Sequence, residues 1–174
     1  MKSVLISTYE LGRQPFGLAS PAAWLRRAGS EVTCLDLSCQ PLDEQAVRAA
    51  DFIALYLPMH TATRLAVQIL PAIRKLNAGA HLCCYGLYAP VNEAFLRKLG
   101  VQTILGGEFE EGLAATLDQL RNPSSPGSQA RPSVSLARQN FLPPERESLP
   151  PLSRYAKLVM SDGSSQTTGY TEAH

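Results

Sequence analysis

The chain has 174 residues, of which 45% are hydrophobic and 18% charged, and its formal net charge at pH 7 is +1. This length suits one domain of about 100–150 residues with an extension, and the composition supports a hydrophobic core and argues against disorder. The near-zero charge argues against a nucleic-acid partner, and no apolar run approaches the roughly 18 residues of a membrane span.

The chain up to residue 121 alternates short apolar runs, which indicate buried strands, with runs of helical periodicity. The predicted strands are Ser3–Ser7, Val32–Leu37, Phe52–Leu57, His81–Tyr85 and Val101–Leu105. The predicted helices are Ala22–Ala28, Thr61–Asn77 with a kink at Pro71, Asn92–Leu99 and Glu110–Leu120, and Glu44–Ala50 is predicted to be a short helix or a turn. Five such units with short connections predict an α/β fold, a doubly wound five-stranded parallel sheet of flavodoxin-like or Rossmann-like type in the order 2-1-3-4-5.

The composition changes after this domain of residues 1–121. Residues 122–138 are rich in Pro, Ser and Gly and predict a linker. Residues 139–174 contain two Pro-Pro pairs and predict an extended, largely irregular segment. The first residues have too short an apolar run for a signal peptide. The four cysteines, Cys34, Cys39, Cys83 and Cys84, lack the spacing of a metal or redox site, so we expect a cytoplasmic protein with reduced thiols.

Loops of small, polar or Gly-rich residues follow the predicted strands, and such loops gather at one edge of a parallel sheet, where ligands bind. They are Tyr9–Gly17, Pro58–Thr63, Tyr85–Pro90 and Gly106–Glu111. The first loop has neither the hydroxyl and Gly residues of a flavin-phosphate site nor a Gly-x-Gly-x-x-Gly motif. A phosphoacceptor receiver domain needs acidic residues at the carboxyl ends of its strands, whereas Asp51 lies at the start of the third predicted strand. The loops therefore predict a composite site for a large, flat, mostly neutral ligand.

In order and spacing, four segments resemble the N-terminal cobalamin-binding domain of cobalamin-dependent radical S-adenosylmethionine enzymes: residues 32–38, 58–64, 85–89 and 106–110. Residues 149–155 and 169–173 resemble the segment that enters the barrel of those enzymes. The resemblance implies a module that binds and positions cobalamin and does not catalyse alone, with the barrel of the same parent chain as its partner. The 4Fe-4S cluster and S-adenosylmethionine would belong to the parent protein, whose cluster cysteines would follow His174.

The same resemblance implies which residues contact the cofactor. Because the loop Tyr9–Gly17 has no His, we expect the cobalamin to be base-off without an axial His from this loop, with a loop residue packed beneath the cobalt. His60 is expected to contact the ligand more readily than to bind cobalt, and Tyr85 and Tyr88 either cover the ring or fill the core. The expected cofactor-binding residues are Leu11, Gly12, Gln14, Phe16, Pro58, Met59, His60, Thr61, Thr63, Tyr85, Gly86, Leu87, Tyr88, Gly106, Gly107 and Glu108.

Two alternatives remain open at this point. One is a flavodoxin-like enzyme domain that binds a nucleotide or another small ligand. The other is an interaction module with a vestigial site, in which Tyr155–Met160 and the tail Ser161–His174 dock a partner chain.

Overall fold

A computed structural model describes residues 1–123, 133–140 and 142–171. Its parallel strands are β1 (Lys2–Ser7), β2 (Glu31–Asp36), β3 (Phe52–Tyr56), β4 (His81–Tyr85), β5 (Thr103–Gly107) and β6 (Val134–Ser135). They form one sheet in the order β2-β1-β3-β4-β5-β6, so the predicted doubly wound α/β fold and the order of its first five strands are confirmed. The sheet has a sixth strand that was not predicted, because β6 is only two residues long and lies within the predicted linker. Residues 124–132 of that linker, like His174, lie outside the described residues.

The helices are α1 (Phe16–Arg27), α2 (Glu44–Ala49), α3 (His60–Leu76), α4 (Tyr88–Val91), α5 (Glu93–Lys98) and α6 (Glu110–Arg121). Helix α1 begins at Phe16 and not at Ala22, and it runs through Pro21. Helix α3 is likewise one continuous element through Pro71. Helix α4 was not predicted as a helix, and the ring of its Pro90 lies against Gly106 of β5.

Side chains that alternate along the strands divide the core into two layers, as a sheet covered on both faces requires. Val4 and Ile6 of β1 pack with residues of α2, α3, α4 and α5. Leu5, between them, packs on the other face with residues of α1 and α6. Each layer is almost wholly shielded from water, so the sheet is a rigid base for the loops at its carboxyl edge.

Residues 142–156, which we call the C-terminal strap, run in mostly irregular conformation across one side of the domain. The Glu145 backbone N–H donates to the Ala19 carbonyl at 2.9 Å, and the Glu145 carboxylate pairs with Arg26. Leu149 is buried in the layer of α1 and α6. An antiparallel hairpin of β7 (Lys157–Val159) and β8 (Ser165–Thr167) follows the strap. Among the described residues, no helix is long and apolar enough to cross a bilayer.

Candidate functional site

The loops after β1, β3, β4 and β5 meet at the carboxyl edge of the sheet. Thr8 Oγ1 donates to the Ala62 carbonyl at 2.9 Å, which joins the loop after β1 to the start of α3. The Tyr88 N–H donates to the Leu57 carbonyl at 2.9 Å, which joins the turn after β4 to the end of β3. A methyl group built on Gly106 would lie 3.6 Å from the Gly86 carbonyl oxygen, so the turns after β4 and β5 are also adjacent.

Three glycines of this edge, Gly86, Gly106 and Gly107, are required by the fold itself. Gly86 has a φ of 105° and Gly107 a φ of 64°, conformations that other residues adopt only with strain. A Cβ at Gly107 would collide with the backbone of Ser135 in β6, and one at Gly106 would collide with the ring of Pro90. Their small size thus has an internal cause, and contact between these glycines and a ligand stays a prediction.

Part of the predicted site forms an accessible rim at this edge. Leu11 is 53% exposed and Leu87 is 70% exposed. Gly12, His60 and Thr61 are exposed as well, and Pro58 and Met59 are half-buried. None of these seven residues is acidic or carries a lysine or arginine side chain. These seven residues offer apolar groups together with an imidazole and a hydroxyl, which suits a ligand without strong charge. The exposed guanidinium of the neighbouring Arg13 stacks on the Tyr170 ring, 4.6 Å from its centroid.

Another part of the predicted site is buried. Tyr85 is fully buried and fills the core, and a contact between its ring and a ligand stays a prediction. Phe16, Gln14 and Thr63 are also buried, and Thr63 Oγ1 donates to the Met59 carbonyl one helical turn earlier, at 3.0 Å. Tyr88 is half-buried and packs against the layer of α2 to α5. In this conformation none of the four buried side chains presents a surface to a ligand.

Tyr85 has a structural task that explains its burial. Pro21 has no backbone N–H, so the Gly17 carbonyl four residues earlier lacks its helical partner. The Tyr85 hydroxyl donates to that carbonyl at 2.7 Å. The Tyr85 ring lies 5.0 Å from the ring of Phe109 and 5.3 Å from that of Tyr56, measured between centroids. Burial raises the pKa of Tyr85 well above its ordinary value, so the hydroxyl stays neutral and remains a donor.

A cavity of about 280 Å³ lies beside the rim, between the end of β5, the start of α6 and β6. It is lined by Leu105, Gly106, Glu108, Glu111, Gly112, Ser133 and Ser135. Two carboxylates among its walls disfavour a phosphate by like-charge repulsion. Hydroxyl and backbone groups favour a neutral ligand group with hydrogen-bonding atoms. Glu108, which was predicted to contact the ligand, is half-buried at this cavity.

Asp36, at the end of β2, had no predicted role of its own, although it lies in a segment that carries the resemblance. It is fully buried, and its carboxylate accepts hydrogen bonds from the Ser38 N–H at 3.0 Å and from the Tyr155 hydroxyl at 2.8 Å. Burial, followed by the adjacent Asp36 carboxylate, raises the pKa of Tyr155. The position of Asp36 at the end of an apolar strand could have indicated a special role for it. Its partner Tyr155 could not be found from local sequence, because it lies 119 residues further along the chain.

The described residues contain no group of three or more His, Cys, Asp or Glu side chains placed to bind a metal ion. His81, predicted to be structural, lies at the opposite edge of the sheet with Nε2 2.8 Å from Thr103 Oγ1.

No protein-family model matches the chain, and no curated protein matches its sequence. Among solved structures, the chain is similar to the radical S-adenosylmethionine methyltransferase TsrM from Kitasatospora setae, solved with its tryptophan substrate and the analogue aza-SAM. The identity is 16% and the TM-score 0.59, over 72% of this chain and 26% of TsrM. A flavodoxin from the domain Archaea has 12% identity and a TM-score of 0.47, over 69% of this chain and 93% of that one. A flavodoxin-like domain from Synechococcus sp. has 15% identity and a TM-score of 0.44, over 67% and 86% of the two chains.

At these identities the likeness concerns the fold alone. The chain is an α/β domain of flavodoxin-like architecture with loops of four strands gathered at one edge. It spans about a quarter of the length of the TsrM chain.

Proposed function

We propose that the chain is a corrinoid-binding domain that positions cobalamin for a radical S-adenosylmethionine methyltransferase-type enzyme. The observation that carries the proposal is the rim of uncharged residues at the carboxyl edge, with Leu11 and Leu87 exposed on it. The four loop segments that resemble cobalamin-binding domains support it, as does the fold likeness to a radical S-adenosylmethionine methyltransferase.

The residues present fit such a ligand. A corrin ring is broad, apolar at its centre and fringed with amides, and the rim offers apolar side chains together with His60 and Thr61 as hydrogen-bonding groups. Leu11 has a φ of 53°, a left-handed backbone conformation that is rare for a branched apolar residue, so the surroundings of its loop must impose this conformation. In this proposal Leu11 packs beneath the ring, in keeping with a first loop that lacks a His. Bound cobalamin would supply a cobalt centre able to carry a methyl group, while the chain supplies orientation.

The layer of α1 and α6 restricts where the nucleotide tail of the ligand can lie. Tyr56, Tyr85 and Phe109 fill the space between α1 and the ends of the strands. The 280 Å³ cavity beside α6 and β6 leaves room for a neutral part of the tail, with the phosphate kept outside because of Glu108 and Glu111. The same two carboxylates argue against a flavin or nucleotide phosphate in this cavity.

Titration of the purified chain with hydroxocobalamin tests the proposal. We expect a shift in the visible absorption of the corrinoid, one equivalent bound, and co-elution in gel filtration, whereas flavin mononucleotide should not bind. Leu87→Glu places a charge on the rim and should weaken binding roughly tenfold or more, the effect of about 1.4 kcal/mol. Val91→Glu, at a residue that is 78% exposed on α4, is the matched control and should bind like the wild type. Failure of the wild type to bind hydroxocobalamin would refute the proposal.

A further inference from the structure

We infer that the C-terminal strap is part of the ligand site, because it holds the loop after β1 in the conformation that presents Leu11 at the rim. The identity of the ligand rests on the proposed function. The control of the loop by the strap rests on contacts between described residues and stands independently of that function.

The tip of the loop is a strained turn that the strap holds by its backbone. Leu11 and Gly12 both have positive φ values, 53° and 75°, and the Arg13 N–H donates to the Glu10 carbonyl at 2.8 Å. A leucine in this region persists only where its surroundings impose the conformation. The Ala156 N–H donates to the Gly12 carbonyl at 2.8 Å, so the strap binds the residue next to Leu11.

The base of the loop is attached to the strap through the Gln14 side chain. Gln14 Nε2 donates to the Pro150 carbonyl at 2.9 Å, and its Oε1 accepts from Arg146 Nη1 at 2.7 Å. Gln14 is only 4% exposed, so solvent cannot replace these partners without the strap moving away. The buried amide therefore favours the loop conformation in which the strap is docked.

Tyr155 fixes the end of the strap to the end of the sheet. Its hydroxyl donates to the buried Asp36 carboxylate, and Asp36 lies beside Ser7 in the pairing of β1 with β2. Tyr155 directly precedes Ala156, which binds the loop tip. Loss of the Tyr155 hydroxyl would remove its hydrogen bond to the buried Asp36 side chain and loosen Ala156 from Gly12. Tyr155 and Gln14 are thus positioning residues, which act on the ligand through Leu11.

If the strap holds the loop for the ligand, ligand binding and strap docking must be coupled in both directions. Tyr155→Phe should speed hydrogen exchange in residues 10–14 and weaken hydroxocobalamin binding roughly tenfold. In the wild type, hydroxocobalamin should slow exchange in residues 145–156. Lys157→Ala, at an exposed residue of β7, is the control and should change neither quantity. Arg146→Ala, which removes the bond to Gln14, is a second variant should Tyr155→Phe fail to fold.

The outcomes separate this inference from the proposed function. Unchanged loop exchange in both strap variants would overturn the control of the loop by the strap, whether or not the corrinoid binds. Faster loop exchange with unaltered hydroxocobalamin affinity would overturn the strap's membership of the site. A wild-type chain that does not bind hydroxocobalamin would refute the proposed function. Hydrogen exchange in residues 10–14 of the strap variants would still test whether the strap holds the loop after β1.

Discussion

Replacing Tyr85 with phenylalanine removes one oxygen atom from the centre of the layer between the sheet and α1. The Gly17 carbonyl would then be buried without the Tyr85 hydroxyl as donor, and Pro21 has no backbone N–H to replace it. An unsatisfied buried acceptor costs about 1–3 kcal/mol. For a chain of 174 residues, a loss of about 2 kcal/mol lowers the melting temperature by roughly 4–8 °C. The assay is thermal unfolding followed by circular dichroism, with chemical unfolding to give the free energy.

Two further variants decide whether the carbonyl is the cause. Tyr88→Phe makes the same chemical change at a half-buried tyrosine of the neighbouring turn and should alter stability little. Pro21→Ala restores a backbone N–H that can bond the Gly17 carbonyl, so Tyr85→Phe should cost less in that background. Equal stability of Tyr85→Phe and Tyr88→Phe, or equal costs with and without Pro21, would refute the reasoning.

Two other predictions follow from buried titratable groups. Burial raises the pKa of Cys84 to about 12 and also raises the pKa values of Cys34 and Cys83. At pH 8 an aromatic disulfide reagent should therefore label only one thiol quickly, that of half-exposed Cys39. Rapid labelling of several thiols in the native chain would contradict this prediction. Burial, followed by the charge of Arg74, lowers the pKa of His81, so the unfolded chain binds the proton first and stability should fall as the pH drops below about 6.5. His81→Gln should flatten the loss between pH 7 and pH 5 in urea unfolding curves, and an unchanged slope would exclude His81 as its source.

Local sequence pattern was sufficient for the first five strands of the sheet but not for every helix. Strands β1 to β5 are buried on both faces, and their continuous apolar runs are recognisable without knowledge of the tertiary structure. Helix α1 was predicted too short because Gly17 and Pro21 are poor helix formers. In the fold, the cost of Pro21 is offset by the hydroxyl of Tyr85, a strand residue that lies 68 positions after Gly17, whose carbonyl it bonds. A local pattern contains no information about such a partner.

The candidate site shows the same division between local and distant causes. The position of its loops follows from strand order, and that part was predictable. Which side chains of a loop reach the rim depends on backbone detail, and so Leu11 and Leu87 are exposed while Gln14 and Tyr85 are buried. Strand β6 was missed because two residues are too few for a pattern, and its position depends on the close approach that Gly107 permits.

The strap makes the carboxyl edge asymmetric, and this asymmetry limits how a flat ligand can lie on it. Arg154 Nη2 donates to the Cys39 carbonyl at 2.6 Å, and Tyr155 covers Asp36, so the loop after β2 is occupied by the chain's own residues. No residue within the described ranges covers the turns after β3 and β4 in this way, since His60, Thr61 and Leu87 are exposed. For the ring of the proposed ligand, placed over β1, β3 and β4, Leu11 and Leu87 are the exposed leucines of the neighbouring loops. A ring shifted toward β2 would have to displace the strap and expose a buried carboxylate, and the position over β1, β3 and β4 is therefore the one that the chain's own contacts favour.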